Sequence, residues 1–305
     1  MNSRRIFLRA LGYLLFNLTG FGSLAAETLV VATYNIENYG TADRMTEDGY
    51  RKDYPKPEVE KRALRAVIRA VGADLLVVQE MGPTAYLEEF RRDLRAEGVD
   101  YPYAVLLEGA DAERHVALLS KRPFKSITQH RELEFLYFGK KEKVKRGLLE
   151  VCLSTEAGDL TIFAVHLKSR FTDRPDDPQS SIRRLGEATA VRDGILKRFP
   201  DPQSARFLIL GDCNDTRNSK PLERLSQRGK TIVSHILPAS DSRGETWTHS
   251  YRKEESYSRV DFALASPALQ PAVQGAAARI YDGEGVREGS DHRPVVVTLQ
   301  LNAAK

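Results

Sequence analysis

The chain has 305 residues, a formal charge of +4, 41% hydrophobic residues and 29% charged residues. That balance suits a protein with a sizeable buried core, and it excludes a disordered chain. Two cysteines make no disulfide scaffold, six scattered histidines show no zinc-ligand spacing, and no apolar run reaches the roughly 18 residues of a spanning helix.

Residues 1–26 read as an export signal: Arg4, Arg5 and Arg9, an apolar stretch from Ala10 to Leu24, then the small exit Ser23-Leu24-Ala25-Ala26. The paired arginines followed by an apolar run resemble a twin-arginine signal. Export to the periplasm or beyond is therefore expected, with residues 27–305 forming one domain and acting as a monomer. No acid precedes Glu27, so removing the leader takes three positive charges and leaves about +1. Net charge then makes no case for nucleic-acid binding, and any such case must be local.

Thr28–Tyr34 predicts a strand. Glu58–Val71 has apolar residues at helical spacing and stops at Gly72, a helix-ending residue. Asp74–Gln79 predicts a buried strand, Thr84–Ala96 a helix, and Tyr103–Leu107 and His115–Ser120 two more strands, with a turn at Gly109–Asp111. Leu148–Ser154 and Leu160–Val165 predict a hairpin across Glu156–Asp159. Ser181–Arg198 predicts a long helix, and Phe207–Leu210, Arg259–Ala265 and Pro294–Leu301 the closing strands. Phe135–Phe138 reads as strand and core, so no apolar hairpin suited to a membrane surface is expected. Cys152 and Cys213 read as buried thiols on neighbouring strands. Strands outnumber helices and hairpins coexist with them, which favours an α+β sandwich of two sheets with outer helices over a parallel doubly wound sheet.

A polar residue sits at or inside one end of six apolar runs: Asn35, Glu80, His166, Asp212 with Asn214, Asp261, and Asp291 with His292. A polar residue at a strand end is ordinarily a turn former. Glu and His are not favoured turn residues, however, and an Asp inside an apolar strand needs a partner or an ion. Converging on one sheet edge, these side chains would offer hard oxygens for Mg²⁺, Mn²⁺ or Ca²⁺ and imidazoles for phosphate oxygens. Those are the parts that phosphate-ester hydrolysis requires.

At these residues the chain resembles the endonuclease/exonuclease/phosphatase superfamily, which includes pancreatic-type DNases, abasic-site endonucleases, sphingomyelinases and inositol polyphosphate phosphatases. The matching segments are Thr33-Tyr34-Asn35-Ile36, Val78-Gln79-Glu80, Val165-His166-Leu167, Gly211-Asp212-Cys213-Asn214, Arg259-Val260-Asp261 and Ser290-Asp291-His292-Arg293-Pro294-Val295, in the family's order. The resemblance implies a four-layer α/β/β/α sandwich. It implies metal ligation by Glu80 with Asn35 and Asp291. It also implies that Asp212 orients or deprotonates water, that Asn214 holds the phosphate or the metal's ligands, that Asp261 pairs with His292, and that His166 and His292 bind the scissile phosphate. Arg146 resembles a phosphate-contacting arginine of nucleases. The family's partner for the first histidine is not identifiable here; His115 lies in its region but is a different residue type.

For the substrate, Lys140–Arg146 places five positive charges in seven residues, and Lys168 and Arg170 follow His166. A nuclease can use such cations to track a phosphate backbone, although a charge run is also an ordinary solvated loop. Trp247, Tyr251 and Tyr257 lie in a long polar loop, Asp241–Ser258, and can stack on a base or pack the loop. No Pro-Ala-Trp-Cys-Asp-Arg-like segment of inositol phosphatases is present. The reading is a secreted nuclease with nucleic acid as substrate and Arg146 and Lys168 as substrate-binding cations. A phospholipid or small-molecule phosphoesterase is the alternative, and a non-enzymatic binding module on the same fold is the third reading.

Overall fold

The computed structural model describes residues 27–46 and 48–302; the leader expected over residues 1–26 lies outside them. In chain order come β1 (Glu27–Tyr39), the hairpin β2 (Thr41–Thr46) and β3 (Gly49–Pro55), α1 (Glu58–Val71), β4 (Leu75–Met81), α2 (Thr84–Ala96), β5 (Tyr103–Leu107) and β6 (His115–Ser120). Next are β7 (Ser126–His130), the hairpin β8 (Glu134–Tyr137) and β9 (Lys140–Lys143), β10 (Leu148–Thr155), β11 (Gly158–His166), α3 (Ser181–Arg198), β12 (Phe207–Asp212) and α4 (Lys220–Ser226). The remainder holds the short strands β13 (Gln227–Arg228), β14 (Thr231–Ile232), β15 (His235–Ile236) and β16 (Ala239–Ser240), the hairpin β17 (His249–Tyr251) and β18 (Ser256–Ser258), β19 (Asp261–Ala265), β20 (Ala278–Ile280), α5 (Val286–Gly289) and β21 (Val295–Leu301).

Two mixed sheets carry the fold, one ordered β16-β20-β21-β1-β4-β6-β5 and the other β15-β19-β12-β11-β10-β7. Alternate residues of each strand face opposite sides, so the central strands, covered on both faces, read as unbroken apolar runs. Val31, Val77, Leu118, Val151, Ile162, Leu208 and Val297 meet between the sheets. Ala32, Leu76 and Val78 point outward onto Leu64 and Ile68 of α1 and Leu87 and Phe90 of α2. Phe163, Phe207 and Phe262 point outward onto Ala188, Val191 and Ile195 of α3. The expected α/β/β/α layering follows from these three apolar seams. Helix α1 ends where expected, with Gly72 in the left-handed conformation (φ 66°) returning its N–H to Ile68 O.

The differences from the sequence reading have a common cause. Apolar content stops at Tyr34, Val78, Val165 and Leu210, but the strands continue, so β1, β4, β11 and β12 take in Asn35, Glu80, His166 and Asp212. The strands β2, β3, β7 and β9 were not expected, because they carry many exposed polar residues and show little apolar alternation, whereas β8 falls on the strand expected at Phe135–Phe138. The β8–β9 hairpin corrects the core reading of Phe135–Phe138: Phe135 and Tyr137 pack inward, whereas Leu136 is 71% and Phe138 46% exposed. The two cysteines are free and buried as expected, but not on neighbouring strands, since β11 lies between β10, which holds Cys152, and β12, which Cys213 follows.

Candidate active site

Topology brings the six polar positions to one edge. β4 runs parallel to β1, and β12 runs parallel to β11, so Asn35, Glu80, His166 and Asp212 all lie toward C-terminal strand ends at the same side. β19 is antiparallel to β12 and β21 antiparallel to β1, so Asp261 at the start of one, and Asp291 and His292 just before the other, arrive at that side too. Within the ladder, Asp212 faces Asp261 directly.

The Gly-Asp-x-Asn segment shows why its first residue is glycine. Gly211 has φ 147°, and a Cβ there would stand 1.9 Å from the Val165 carbonyl oxygen, so only glycine allows β12 this close to β11. Asp212 is then held from several sides. Its Oδ1 accepts from the Asn214 backbone N–H (2.8 Å), and its Oδ2 accepts from Asn214 Nδ2 (3.2 Å) and from Asn35 Nδ2 (3.1 Å), a link between the two sheets. Asn214 is fixed in turn by donating to Leu167 O at 2.9 Å.

The two histidines sit in opposite electrostatic settings. His292 Nδ1 lies 2.8 Å from Asp261 Oδ2, and its Nε2 lies 3.8 Å from Asp291 Oδ1. Burial alone would favour the neutral ring, but the Asp261, Asp291 and Asp212 carboxylates outweigh it and hold His292 well above the usual imidazole range. His166 is held well below that range by burial and then by the charges of Arg146, His292, Arg114 and Lys168. Its Nε2 faces Asp212 Oδ2 at 3.6 Å and Glu80 Oε1 at 4.0 Å, and its Nδ1 finds no partner among the described residues, in keeping with the missing partner in the sequence. His115 is buried at the same edge, opposite Met81. Burial and the neighbouring Asp261 raise Asp212 to about 7.

Glu80 has φ 64° and accepts from the Asn38 N–H at 3.0 Å. Asp291 receives His249 Nε2 at 3.5 Å. Burial would raise Asp291, but His292 and His249 outweigh that and hold it below the usual carboxylate range. Asn35 is the least free of the metal-ligand candidates, since its Oδ1 already accepts from the Glu37 N–H at 3.0 Å. Arg146 is buried against Asp111 (3.0 Å), its Nε and Nη1 find no partner among the described residues, and its charge reaches His166. Lys168 is buried too, but its Nζ is bound to Ser169 Oγ (3.1 Å) and to the Phe171 carbonyl rather than turned to the acid cluster. Trp247 packs the loop: the Arg293 guanidinium covers its ring.

The sequence reading missed three participants. Glu37, two residues beyond Asn35 in β1, accepts from the Asp291 N–H (3.2 Å) and lies near Lys56 (3.7 Å). The alternation of side chains along a strand was the available signal. Burial and the charge of Asp291 raise Glu37 above the usual range. Glu187, on the buried face of α3, accepts the N–H groups of Lys145 (3.0 Å) and Lys168 (2.7 Å), anchoring the segments that carry Arg146 and Lys168. His249 is placed by the β17–β18 hairpin, for which the sequence carries no signal.

A sequence search of curated proteins returned no match. The endonuclease/exonuclease/phosphatase family profile matches residues 32–292. Among solved structures, an endonuclease/exonuclease/phosphatase family protein from Leptotrichia buccalis superposes with a TM-score of 0.61 at 14% identity, over 89% of this chain and 99% of that one. The human Nocturnin catalytic domain gives 0.62 at 15% identity over 90% and 95%. Sphingomyelinase C from Streptomyces griseocarneus gives 0.59 at 15% over 90% and 99%. At these identities the likeness is one of fold. Enzymes of this group are phosphoester hydrolases and typically depend on a divalent metal. With the profile spanning the whole edge from β1 to His292, the chain belongs to the endonuclease/exonuclease/phosphatase family.

Proposed function

We propose that the chain hydrolyses nucleic-acid phosphodiester bonds by metal-assisted attack of water. The observation that carries this is the gathering, at one end of the two sheets, of His292 on Asp261 (2.8 Å), which holds it toward its charged form, of His166 facing Asp212 (3.6 Å), which burial holds toward its neutral form, and of Asp212, raised to about 7. Opposed proton affinities within one site supply a donor and an acceptor at the same pH.

The donor set fits a hard divalent cation. Glu37, Glu80 and Asp291 gather with Lys56 as the cation beside them, and the burial and mutual charge that raise Glu37 are relieved by positive charge. Glu80, Asp291 and Asn35, with Glu37 beside them, would hold Mg²⁺, Mn²⁺ or Ca²⁺. When bound, such an ion neutralises phosphate charge and acidifies water. Asp212 accepts the proton of the attacking water, and Asn214 and Asn35 fix its direction. The His292 imidazolium, oriented by Asp261, donates from Nε2 to an oxygen of the scissile phosphate. Arg146 adds charge on the His166 side.

Nucleic acid is favoured because the basic run 140–146 ends beside His166, although Lys141 and Lys143 are partly neutralised by Glu134 (3.1 Å) and Glu132 (2.6 Å). The second reading is a lipid phosphodiester, favoured by the exposed Leu136 and Phe138 and in keeping with a sphingomyelinase among the structural neighbours. We also propose, from the leader-like residues 1–26, that the chain acts after export. The test is a panel of plasmid DNA, RNA, sphingomyelin and a chromogenic phosphodiester with Mg²⁺, Mn²⁺ or Ca²⁺. DNA or RNA should be cleaved, and Asp212→Ala or His292→Ala should abolish cleavage. Phosphocholine release without nucleic-acid cleavage would favour the lipid reading, and full activity in either variant would refute the site.

A further inference from the structure

A cavity of about 150 Å³ lies beside the site, lined by Trp247, Tyr251, Arg252, Tyr257 and Arg287. It is joined to the site by short links. His249 bridges to His292 in the backbone, and the Ser250 N–H donates to Asp291 O at 2.9 Å. The His249 ring lies 4.6 Å from the His292 ring on one side, and on the other it lies near-parallel (20°) to Tyr251 at 6.5 Å.

The walls differ in freedom. Trp247 is fixed by Arg293 over its ring, by Tyr257 at 4.8 Å and by Nε1 donating to Glu245 Oε2 at 2.8 Å. Tyr251 is 42% exposed. Arg252 donates to Arg287 O at 2.7 Å, tying the β17–β18 hairpin to α5. We propose that this cavity is a base-binding subsite, which takes the flat ring of the nucleotide adjoining the scissile phosphate. This rests on the phosphodiester reading of the neighbouring edge.

The lining chemistry separates the candidates. Aromatic side chains attract both flat rings and quaternary ammonium groups. Two guanidinium groups against one carboxylate, Glu255, repel a cation such as choline. They suit a ring with acceptor atoms at its edge and phosphate beside it. Tyr251 supplies the stacking face, and Arg252 and Arg287 supply donors.

Trp247 is the only tryptophan of the chain, so its emission reports on the cavity. The full chain is titrated with AMP, ribose 5-phosphate and phosphocholine, with calorimetry as a second readout. AMP should bind at least about fivefold tighter than ribose 5-phosphate, the lower end of what one stacked base contributes. Tyr251→Ala should erase that difference, Tyr251→Phe should retain it, and Arg287→Gln should weaken AMP alone. AMP binding no tighter than ribose 5-phosphate, tightest binding of phosphocholine, or an unchanged Tyr251→Ala would each overturn the subsite. AMP binding by a chain that cleaves no nucleic acid would refute the nuclease reading and leave the subsite standing. Cleavage as fast beside an abasic position as beside a base would refute the subsite alone.

Discussion

Asp261→Asn tests the electrostatic core of the site. The side chain keeps its size and can still accept the His292 Nδ1–H, but it loses its charge. At 2.8 Å and an effective dielectric of about 20, the lost attraction is at most ~6 kcal/mol. Asp291 and Asp212 remain and hold part of the charge, so His292 should lose its proton at a clearly lower pH than in the parent chain without falling to a neutral-only ring. Histidine proton resonances followed by NMR from pH 5 to 10, with His292→Gln for assignment, measure it directly. Stability should change shape as well. His292 binds its proton more tightly folded than unfolded, so its contribution is complete below the ordinary imidazole value and disappears as pH rises through the folded value. The parent chain should therefore lose stability on the alkaline side, and Asp261→Asn should show a flatter alkaline limb. A His292 that stays protonated in the variant at the parent's pH would show that Asp261 is not what holds the proton.

Three further outcomes are expected. Gly211→Ala forces a Cβ against the Val165 carbonyl and should cost about 3 kcal/mol in urea unfolding; a loss under about 1 kcal/mol would contradict that contact. Asp241 accepts from Arg293 Nη1 (2.9 Å) and from the Arg243 (2.9 Å) and Glu245 (2.8 Å) N–H groups. Burial opposes its charge, but these partners hold it well below the usual carboxylate range. Its contribution is then present above the ordinary value near 4 and lost as pH falls through the folded value. Asp241→Asn should remove part of the acid limb and, by leaving Arg293 buried without its counter-charge, cost about 3–5 kcal/mol at neutral pH; identical acid unfolding in both chains would refute the pairing. Glu80→Ala should raise the metal concentration for half-saturation at least about tenfold, read by calorimetric titration of Mn²⁺, and an unchanged titration would remove Glu80 from the ligand set.

The strands and helices that pack on both sides announce themselves in the sequence, because burial demands apolar residues at a fixed period. α1, α2, α3, β5 and β6 match the expected boundaries for that reason. The polar ends of β1, β4, β11 and β12 were legible as anomalies rather than as strand, since Asn35, His166 and Asp212 extend ladders beyond the apolar runs and Glu80 sits at a break in the β4 ladders, in left-handed backbone. What the sequence could not carry was set by tertiary register. Nothing local says that Lys168 turns its ammonium into its own loop, or that a hairpin swings His249 onto Asp291. Glu37 lay between these cases, since its parity with Asn35 was readable and its neighbour Asp291 was not.

The proton affinities at this edge follow from pairing rather than from any single residue. The antiparallel register of β12 and β19 sets Asp212 opposite Asp261 inside a buried ladder. Two carboxylates so placed cannot both ionise cheaply without a cation between them. His292 supplies that cation, bound to Asp261, and burial together with the facing Asp261 leaves Asp212 raised to about 7. His166 stays neutral because burial disfavours its charge, and the charges of Arg146 and of His292 disfavour a second imidazolium nearby. One backbone register thus separates the roles of two acids and two histidines, which is why Asp212, Asp261 and His166 on three strands and His292 just before a fourth act as a set.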